Sequence, residues 1–348
     1  MQQYVGLDVS LEETSICVMD RDGRILQRGV TASEPELIAA YVRRHAPEVT
    51  RIVLETGQLS IWLTRALVAQ GLPAVCIDAR LAHKALSGRR NKSDRHDAEG
   101  LAHLARTGWF TKVEIKSKDS DERRTLLGAR DRMIRIRKDL EGQIRGVLKI
   151  FGIKLGKITP GKDRGGFRRR VQEVIVDEPA IQPALKALLA VHVTTCKEES
   201  RLDALVRRKA KNDKVVRLLT TAPGVGAIVA SAFVAIIDDP SRFRRSRQAG
   251  VYVGLTPRSF QSGEVSYSGK ISKWGDAMLR AYLYEAAVTI LTRTKSFSPL
   301  KSWGLRLAQQ KGFTKAAVAV ARKLATILLA MWRDNTKFQW TKEASMAV

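Results

Sequence analysis

One alternation of apolar runs and turns fills the first eighty residues and leaves few folds open to this chain. "YVGLDVSLEETSICVMDRDGRILQRGV" at 4–30 holds three apolar runs separated by short polar breaks, the second of them "DRDGR" with Asp22-Gly23. Such runs ended by an Asp-Gly turn predict strands joined as hairpins. "SEPELIAAYVRRHA" at 33–46 predicts a helix, with Ser33 as its cap and Leu37, Ile38, Tyr41 and Val42 facing inward. "RIVLET" at 51–56 reads as a strand, "SIWLTRALVAQG" at 60–71 as a helix stopped by Gly71, and "PAVCIDA" at 73–79 as a further strand. Three strands in a meander, then helix, strand, helix, strand and helix, make a mixed sheet covered by helices.

That order matches the ribonuclease-H-like fold, in which the first and fourth strands are neighbours at the sheet centre. Asp8 lies on the first and Glu55 at the end of the fourth, and both interrupt apolar strands. A buried ion costs several kcal/mol unless paired or metal-bound, so one carboxylate on each of two adjacent strands suggests a shared partner. "NKSDRHDAEGLAHLARTGW" at 91–109 adds Asp94 and Asp97 just where a helix begins. Three apart on a helix is about 60° in azimuth, so these like charges repel. Aspartates also favour helix N-termini as caps, and Arg95, His96 and Lys92 could neutralise them. Taken as a set in this order, however, Asp8, Glu55, Asp94 and Asp97 predict a two-metal site for Mg²⁺, which prefers oxygen ligands, with Mn²⁺ as a substitute. Asp8 by itself is weak, because "GLDVS" also resembles the first phosphate loop of sugar kinases.

The charge narrows the partner. Lys and Arg number 61 against 35 Asp and Glu, a formal +26 over 348 residues, which points to a polyanion, most simply nucleic acid. No apolar run approaches the ~18 residues that span a bilayer. "LATILLAMW" at 324–332 reads as a core helix, so no membrane partner is expected. "MQQYVGLDVS" enters a strand pattern at once, without a secretory leader. The three cysteines are dispersed, with no CxxC. The expected setting is a reducing cytoplasm.

The organisation divides into three regions, 1–115, 116–216 and 217–348. In the second, Met133, Ile136, Leu140, Ile144, Val147 and Phe151 form a narrow apolar stripe flanked by arginines. That resembles a coiled-coil seam. A second helical stretch carries Leu185, Leu188, Leu189, Leu202, Leu205 and Val206, and between the two lies "GKDRGGFRRR" at 161–170, read as a basic loop containing Arg168, Arg169 and Arg170. The pair predicts an antiparallel coiled coil, or an arm forming a homodimer or tetramer. In the third region "PGVG" resembles a helix–hairpin–helix, where Gly224 and Gly226 let backbone N–H groups approach a phosphate; a plain capping turn is the competing reading. Arg242, Arg244, Arg245 and Arg247 suit further phosphate contacts. "TPRSFQSGEVSYSGKISKWG" is a polar, Ser- and Gly-rich loop between packed helices, a good place for function. Helices at about 276–293, 299–310 and 314–333 close the chain.

"GLDVS", "LETG", "KSDRHDA", "PGVG" and "GLTPRSFQSGEVSYSGKISKWGD" occur in this order. The sequence thereby resembles the Asp-Glu-Asp-Asp transposases of bacterial insertion sequences, relatives of Piv-type DNA invertases. The resemblance implies a RuvC-like N-terminal domain, a coiled-coil arm and a mostly helical C-terminal transposase domain. It implies a recombinase that cleaves and rejoins donor and target DNA with metal and a serine nucleophile, guided by a structured non-coding bridge RNA. Asp8, Glu55, Asp94 and Asp97 match the acidic set. The family pattern at the nucleophile is Ser-Ser-Gly; here Gln261-Ser262-Gly263 keeps only the second serine, so Ser262 is the candidate, with Ser259, Ser266 and Ser268 as fallbacks.

A serine hydroxyl needs activation, and no histidine lies near Ser262 in sequence, which leaves the metals as activator. Three other functions stay open. A RuvC-like structure-specific endonuclease would hydrolyse with water at the acidic site alone. A non-enzymatic nucleic-acid-binding protein would tolerate loss of all four carboxylates. A sugar kinase would need a second phosphate loop and an adenosine motif, neither of which is found.

Overall fold

The apolar runs of the N-terminal segment become an antiparallel meander of β1 (Gln3–Val9), β2 (Glu13–Asp20) and β3 (Ile25–Ala32). The structure, a computed structural model, describes residues 2–86, 94–156, 164–262 and 265–340. It divides into two units, Met1–Lys116 and Ser117–Val348.

In the first unit α1 (Pro35–His45), β4 (Val49–Glu55), α2 (Ser60–Ala69), β5 (Ala74–Ile77), α3 (Ala79–Leu86) and α4 (Asp94–Thr107) follow the meander. The sheet order is β3-β2-β1-β4-β5, with β4 and β5 parallel to β1. One face packs Val5, Leu7, Ile52 and Leu54 against α1 and α2 through Ile38, Val42, Leu63 and Leu67. The other packs Tyr4 and Val53 against Leu101, Leu104 and Ala105 of α4. Two expectations on α1 need correction. Leu37 is 49% exposed, because the buried face of the helix runs through Ile38, Ala39 and Val42. Ser33 is not its cap: with Pro35 opening the helix, the Ser33 hydroxyl instead bonds buried Thr14 Oγ1 at 2.8 Å and donates to Ser10 O at 2.9 Å.

Helix α4 crosses β1 at Gly6. A Cβ on Gly6 would stand 2.1 Å from Ala98 O and 2.3 Å from Ala102 N, both backbone atoms that cannot swing aside. Arg28 of β3 pairs with Glu99 at 2.5 Å, and Arg51 of β4 donates to Ala105 O at 2.8 Å, so the helix is tied to the sheet at two further points.

The second unit opens with two long helices, α5 (Lys118–Ile150) and, after α6 (Arg164–Asp177), α7 (Gln182–Asn212). Arg130 pairs with Asp203 at 2.8 Å and Arg137 with Glu199 at 2.7 Å, and Glu141 meets His192 at 3.3 Å. Ascending numbers on α5 meet descending numbers on α7, so the two run antiparallel. Ile144 and Leu148 are fully buried within this unit, against Phe167, Val171, Leu185 and Leu189. The predicted stripe is in that part an intramolecular core. Arg168, Arg169 and Arg170 lie on α6 and not in a loop, since Phe167, Val171 and Ile175 recur at helical spacing and are buried.

Beyond α8 (Lys214–Leu219), helices α9 (Ala227–Ile237), α10 (Gln248–Tyr252), α11 (Ala277–Thr292), α12 (Pro299–Lys311) and α13 (Phe313–Arg333) enclose the largest core, around Phe233, Leu283, Ile290, Leu324 and Leu328. The predicted apolar run lies within α13, and among the described residues no helix is long and apolar enough to cross a membrane. The start of α5 is anchored to the end of α9: Ser117 donates from N and Oγ to the Asp238 carboxylate, at 2.9 and 2.5 Å, and Ser120 Oγ donates to Ala235 O. Between α10 and α11 the expected loop is an antiparallel hairpin, β6 (Pro257–Ser262) and β7 (Val265–Ile271), because Arg258, Phe260 and Tyr267 alternate with small polar residues across a two-residue connection.

Two outcomes follow for stability. Gly6→Ala forces α4 off the sheet and is expected to lose at least about 1–3 kcal/mol, read as a lower urea midpoint. Gly29→Ala should cost less, because the nearest atoms to its Cβ belong to the outer end of the Tyr41 side chain, which can turn. The Glu141 carboxyl is held below its usual value near 4.5 by His192 first and Arg137 after it, against the opposing effect of burial. Its stabilisation is therefore present above that usual value and lost as pH falls through the lowered one. Glu141→Gln should flatten the acid limb of a thermal-denaturation series below about pH 4.5.

Candidate active site

The carboxylates predicted to act together start from strand register. β1 and β4 run parallel and pair as far as Leu7 with Leu54, so Asp8 and Glu55 occupy the next position on adjacent strands. Parity fixes their face. Gly6 and Val53 both face α4, and Asp8 and Glu55 lie two residues beyond them on the same side. Both are half-buried. Tyr4 meets Leu101, Leu104 and Ala105, whereas Gly6 meets Ala98 and Ala102, so α4 runs back along β1. One turn before Ala98 is Asp94, and the first turn of α4 therefore lies toward the end of the sheet where Asp8 and Glu55 stand. Asp97 on that turn is half-buried; the side chain of Asp94 lies outside the described residues.

Positions on two adjacent strands and one helix terminus therefore lie toward the same end of the sheet. Among the described residues no three His, Cys, Asp or Glu side chains are gathered tightly enough to hold an ion. The donor chemistry is nonetheless uniform, since Asp8, Glu55 and Asp97 offer only carboxylate oxygen, as a hard divalent cation requires. The charge of Glu55 is felt nearby: the Cys76 thiol is pushed up first by its own burial, with Glu55 adding to the effect and a Ser60 hydrogen bond opposing it.

The second unit carries Ser262, the last residue of β6, which pairs with Val265 where the hairpin turns. It has the strand parity of Phe260, whereas Ser259, Ser266 and Ser268 have the other. The base of the hairpin is locked by two crossing segments. Gly254 (φ 71°) passes so close to Trp274 that a Cβ would meet its carbonyl at 1.9 Å, and Gly275 (φ 91°) passes Tyr252 O at 2.1 Å. Only glycine tolerates both the left-handed backbone and the contact. Ser272 N donates to Thr256 O at 2.8 Å and Lys273 N to Gly254 O at 3.2 Å, and Asp276 caps α11 by accepting from Leu279 N at 2.8 Å. The conspicuous "GLTPR" and "KWGD" are thereby the two sides of one clamp, which sequence spacing did not show.

The candidate phosphate contacts separate by environment. Arg242, Arg244, Arg245 and Arg247 are all exposed around buried Phe243, with Arg242 over the Phe243 and Tyr252 rings at 6.0 and 5.9 Å. Arg168 and Arg169 are exposed on α6, while Arg170 is half-buried and donates to Leu155 O at 2.5 Å. Gly224 (φ 71°) serves internal packing, since a Cβ there would meet Ala286 O of α11 at 2.5 Å. Gly226 is exposed at the start of α9 with open space around it.

The comparisons with known proteins agree along the chain. A transposase model of the DEDD type found in IS110 matches residues 5–153, and a model described as the transposase IS116/IS110/IS902 family matches 216–301. The chain is 27% identical over 338 residues to the "Transposase for insertion sequence element IS1111A" of Coxiella burnetii, covering 94% of this chain and 89% of that one. It is 28% identical over 344 residues to a "Probable family 20 transposase" of Pseudomonas aeruginosa, covering 96% and 98%. It is also 27% identical over 255 residues to the "Transposase for insertion sequence element IS1328" of Yersinia enterocolitica, covering 72% and 74%. The first model spans all four acidic positions and the second spans the hairpin with Ser262, so the chain belongs to the IS110-type family of insertion-sequence transposases.

Proposed function

We propose that this transposase cleaves and rejoins DNA by covalent transfer through Ser262, with Asp8, Glu55, Asp94 and Asp97 holding two divalent cations, Mg²⁺ or Mn²⁺. The observation that carries the acidic set is the register of β1 on β4, which sets Asp8 beside Glu55 on the face covered by α4. The sheet order and the parallel β1–β4–β5 side also support a ribonuclease-H-like reading of the first unit. Like-charged carboxylates brought to one place repel, and a cation between them removes that cost. When bound, such cations polarise a phosphate and stabilise attacking and leaving oxygens.

The chain's own groups do the rest. Ser262 Oγ gives up its proton and forms a bond to phosphorus as the bond to the leaving deoxyribose oxygen breaks; that oxygen takes up a proton. The serine ester keeps the phosphodiester energy, so the reverse attack by a new strand end needs no nucleotide cofactor. The strand position of Ser262 beside the hairpin turn supports its presentation to a substrate. Arg242, Arg244, Arg245 and Arg247, with Arg168 and Arg169, supply phosphate contacts whose contribution falls steeply with salt. A guide RNA, as the family resemblance implies, would leave the protein to contact backbone and shape while base pairing reads sequence. The organisation into a catalytic domain, an arm and a C-terminal domain, and assembly of two or four copies, belong to the same proposal.

Two outcomes test it. Asp8→Ala, Glu55→Ala and Asp97→Ala should each abolish recombination of element ends while the folded circular-dichroism spectrum is kept, Asp94→Ala being the mildest; full activity in EDTA would sink the cation assignment. Ser262→Ala should bind DNA yet trap no protein–DNA adduct after denaturation. An adduct persisting in that variant moves the nucleophile to another serine, and absence of an adduct in the wild type favours hydrolysis by water.

A further inference from the structure

We propose that the Phe260–Tyr267 pair on the hairpin is a stacking platform for an unpaired nucleotide of the DNA strand. Phe260 and Tyr267 are direct cross-strand partners, and their rings stack at 5.1 Å between centroids and 18° between planes. Both are open to solvent, at 44% and 58%. Two large aromatics stacked together and exposed to solvent leave ring faces for a further flat group. Position 269 on the same side is glycine, where a Cβ would already meet the Phe260 ring edge at 3.1 Å, so no side chain at that position crowds the ring. The surroundings are cationic: Arg258, Lys270 and Lys273 on and just beyond the two strands are all exposed. Asp276 below the hairpin is occupied as the cap of α11.

Flat exposed rings among cations match a nucleobase and its phosphate, the combination by which single strands are held without sequence reading. A duplex hides its base faces, so the platform takes only an unstacked nucleotide. Ser262 follows Phe260 by two residues on the same strand, which puts the platform one strand repeat from the proposed nucleophile. The occupant is therefore the DNA strand being cut, in a stretch freed from pairing. That assignment of strand rests on the reading of Ser262; single-strand binding by the rings does not.

The test uses the full chain and anisotropy of a short labelled single-stranded DNA, the matching duplex and an RNA of the same sequence, over a salt series. Phe260→Leu with Tyr267→Leu keeps strand-compatible apolar side chains and removes the ring faces. It is expected to weaken single-strand DNA binding roughly tenfold or more, with duplex binding within about twofold of wild type. The slope of log affinity against log salt should not change, because no phosphate contact is lost. Phe260→Tyr with Tyr267→Phe should bind as wild type. Equal loss for single strand and duplex, wild-type binding by the leucine variant, or loss confined to RNA would each overturn the proposal. The adduct assay reports on Ser262 separately, so a failed nucleophile and a failed platform are told apart.

Discussion

The passage of α4 over Gly6 is the constraint on which the arrangement of the first unit depends. A helix backbone within 2.1–2.3 Å of where a Cβ would be leaves glycine as the sole residue that fits. That contact fixes the height of α4 above the sheet, and the Arg28–Glu99 and Arg51–Ala105 bonds fix its position along and across the strands. The first turn of α4 is thereby held toward the end of the sheet at which β1 and β4 finish. The apolar contacts of Leu101, Leu104 and Ala105 with Tyr4 and Val53 hold the helix down on the sheet.

A different means orders the second unit. Two long helices packed through a narrow stripe can slide by a turn at little apolar cost, and charged groups between them oppose such slippage. Arg137 is shared by Glu141 and buried Glu199, Glu141 also meets buried His192, and Arg130 joins Asp203 to the Tyr282 hydroxyl of α11. Each charge has a partner in one register only, so the pairs fix which residues of α5 and α7 face each other. The Arg130 bond also ties the helical pair to the C-terminal core.

The hairpin that carries Ser262 makes its extensive contacts within itself and is held at its base. Gly254 and Gly275 let two backbone segments cross, and Arg280 Nη1 reaches Val253 O at 3.1 Å. A base clamped in this way gives the two strands a defined direction. The exposed arginines around Phe243 keep their charged ends in water while the buried ring secures the segment beneath them.

The sequence by itself determined the sheet-forming strands, most helix boundaries and the acidic candidates, because apolar runs ended by turns, period-3.6 patterns and ions interrupting apolar strands are local signals. It also determined Ser262 as candidate, through a motif. Tertiary structure decided what depends on contacts between distant segments. Gly6 looked like any strand glycine until Ala98 and Ala102 came to lie on it. The stripe on α5 suited a partner copy or a partner helix equally, and burial of Ile144 against α6 and α7 of the same chain decided part of it. Arg168–Arg170 read as a loop because glycines outweighed the buried spacing of Phe167, Val171 and Ile175. "FQSGEVSY" carried a legible hairpin signal in its mirrored Phe and Tyr, but register between two strands is a property of their pairing, and only the pairing brings those rings face to face.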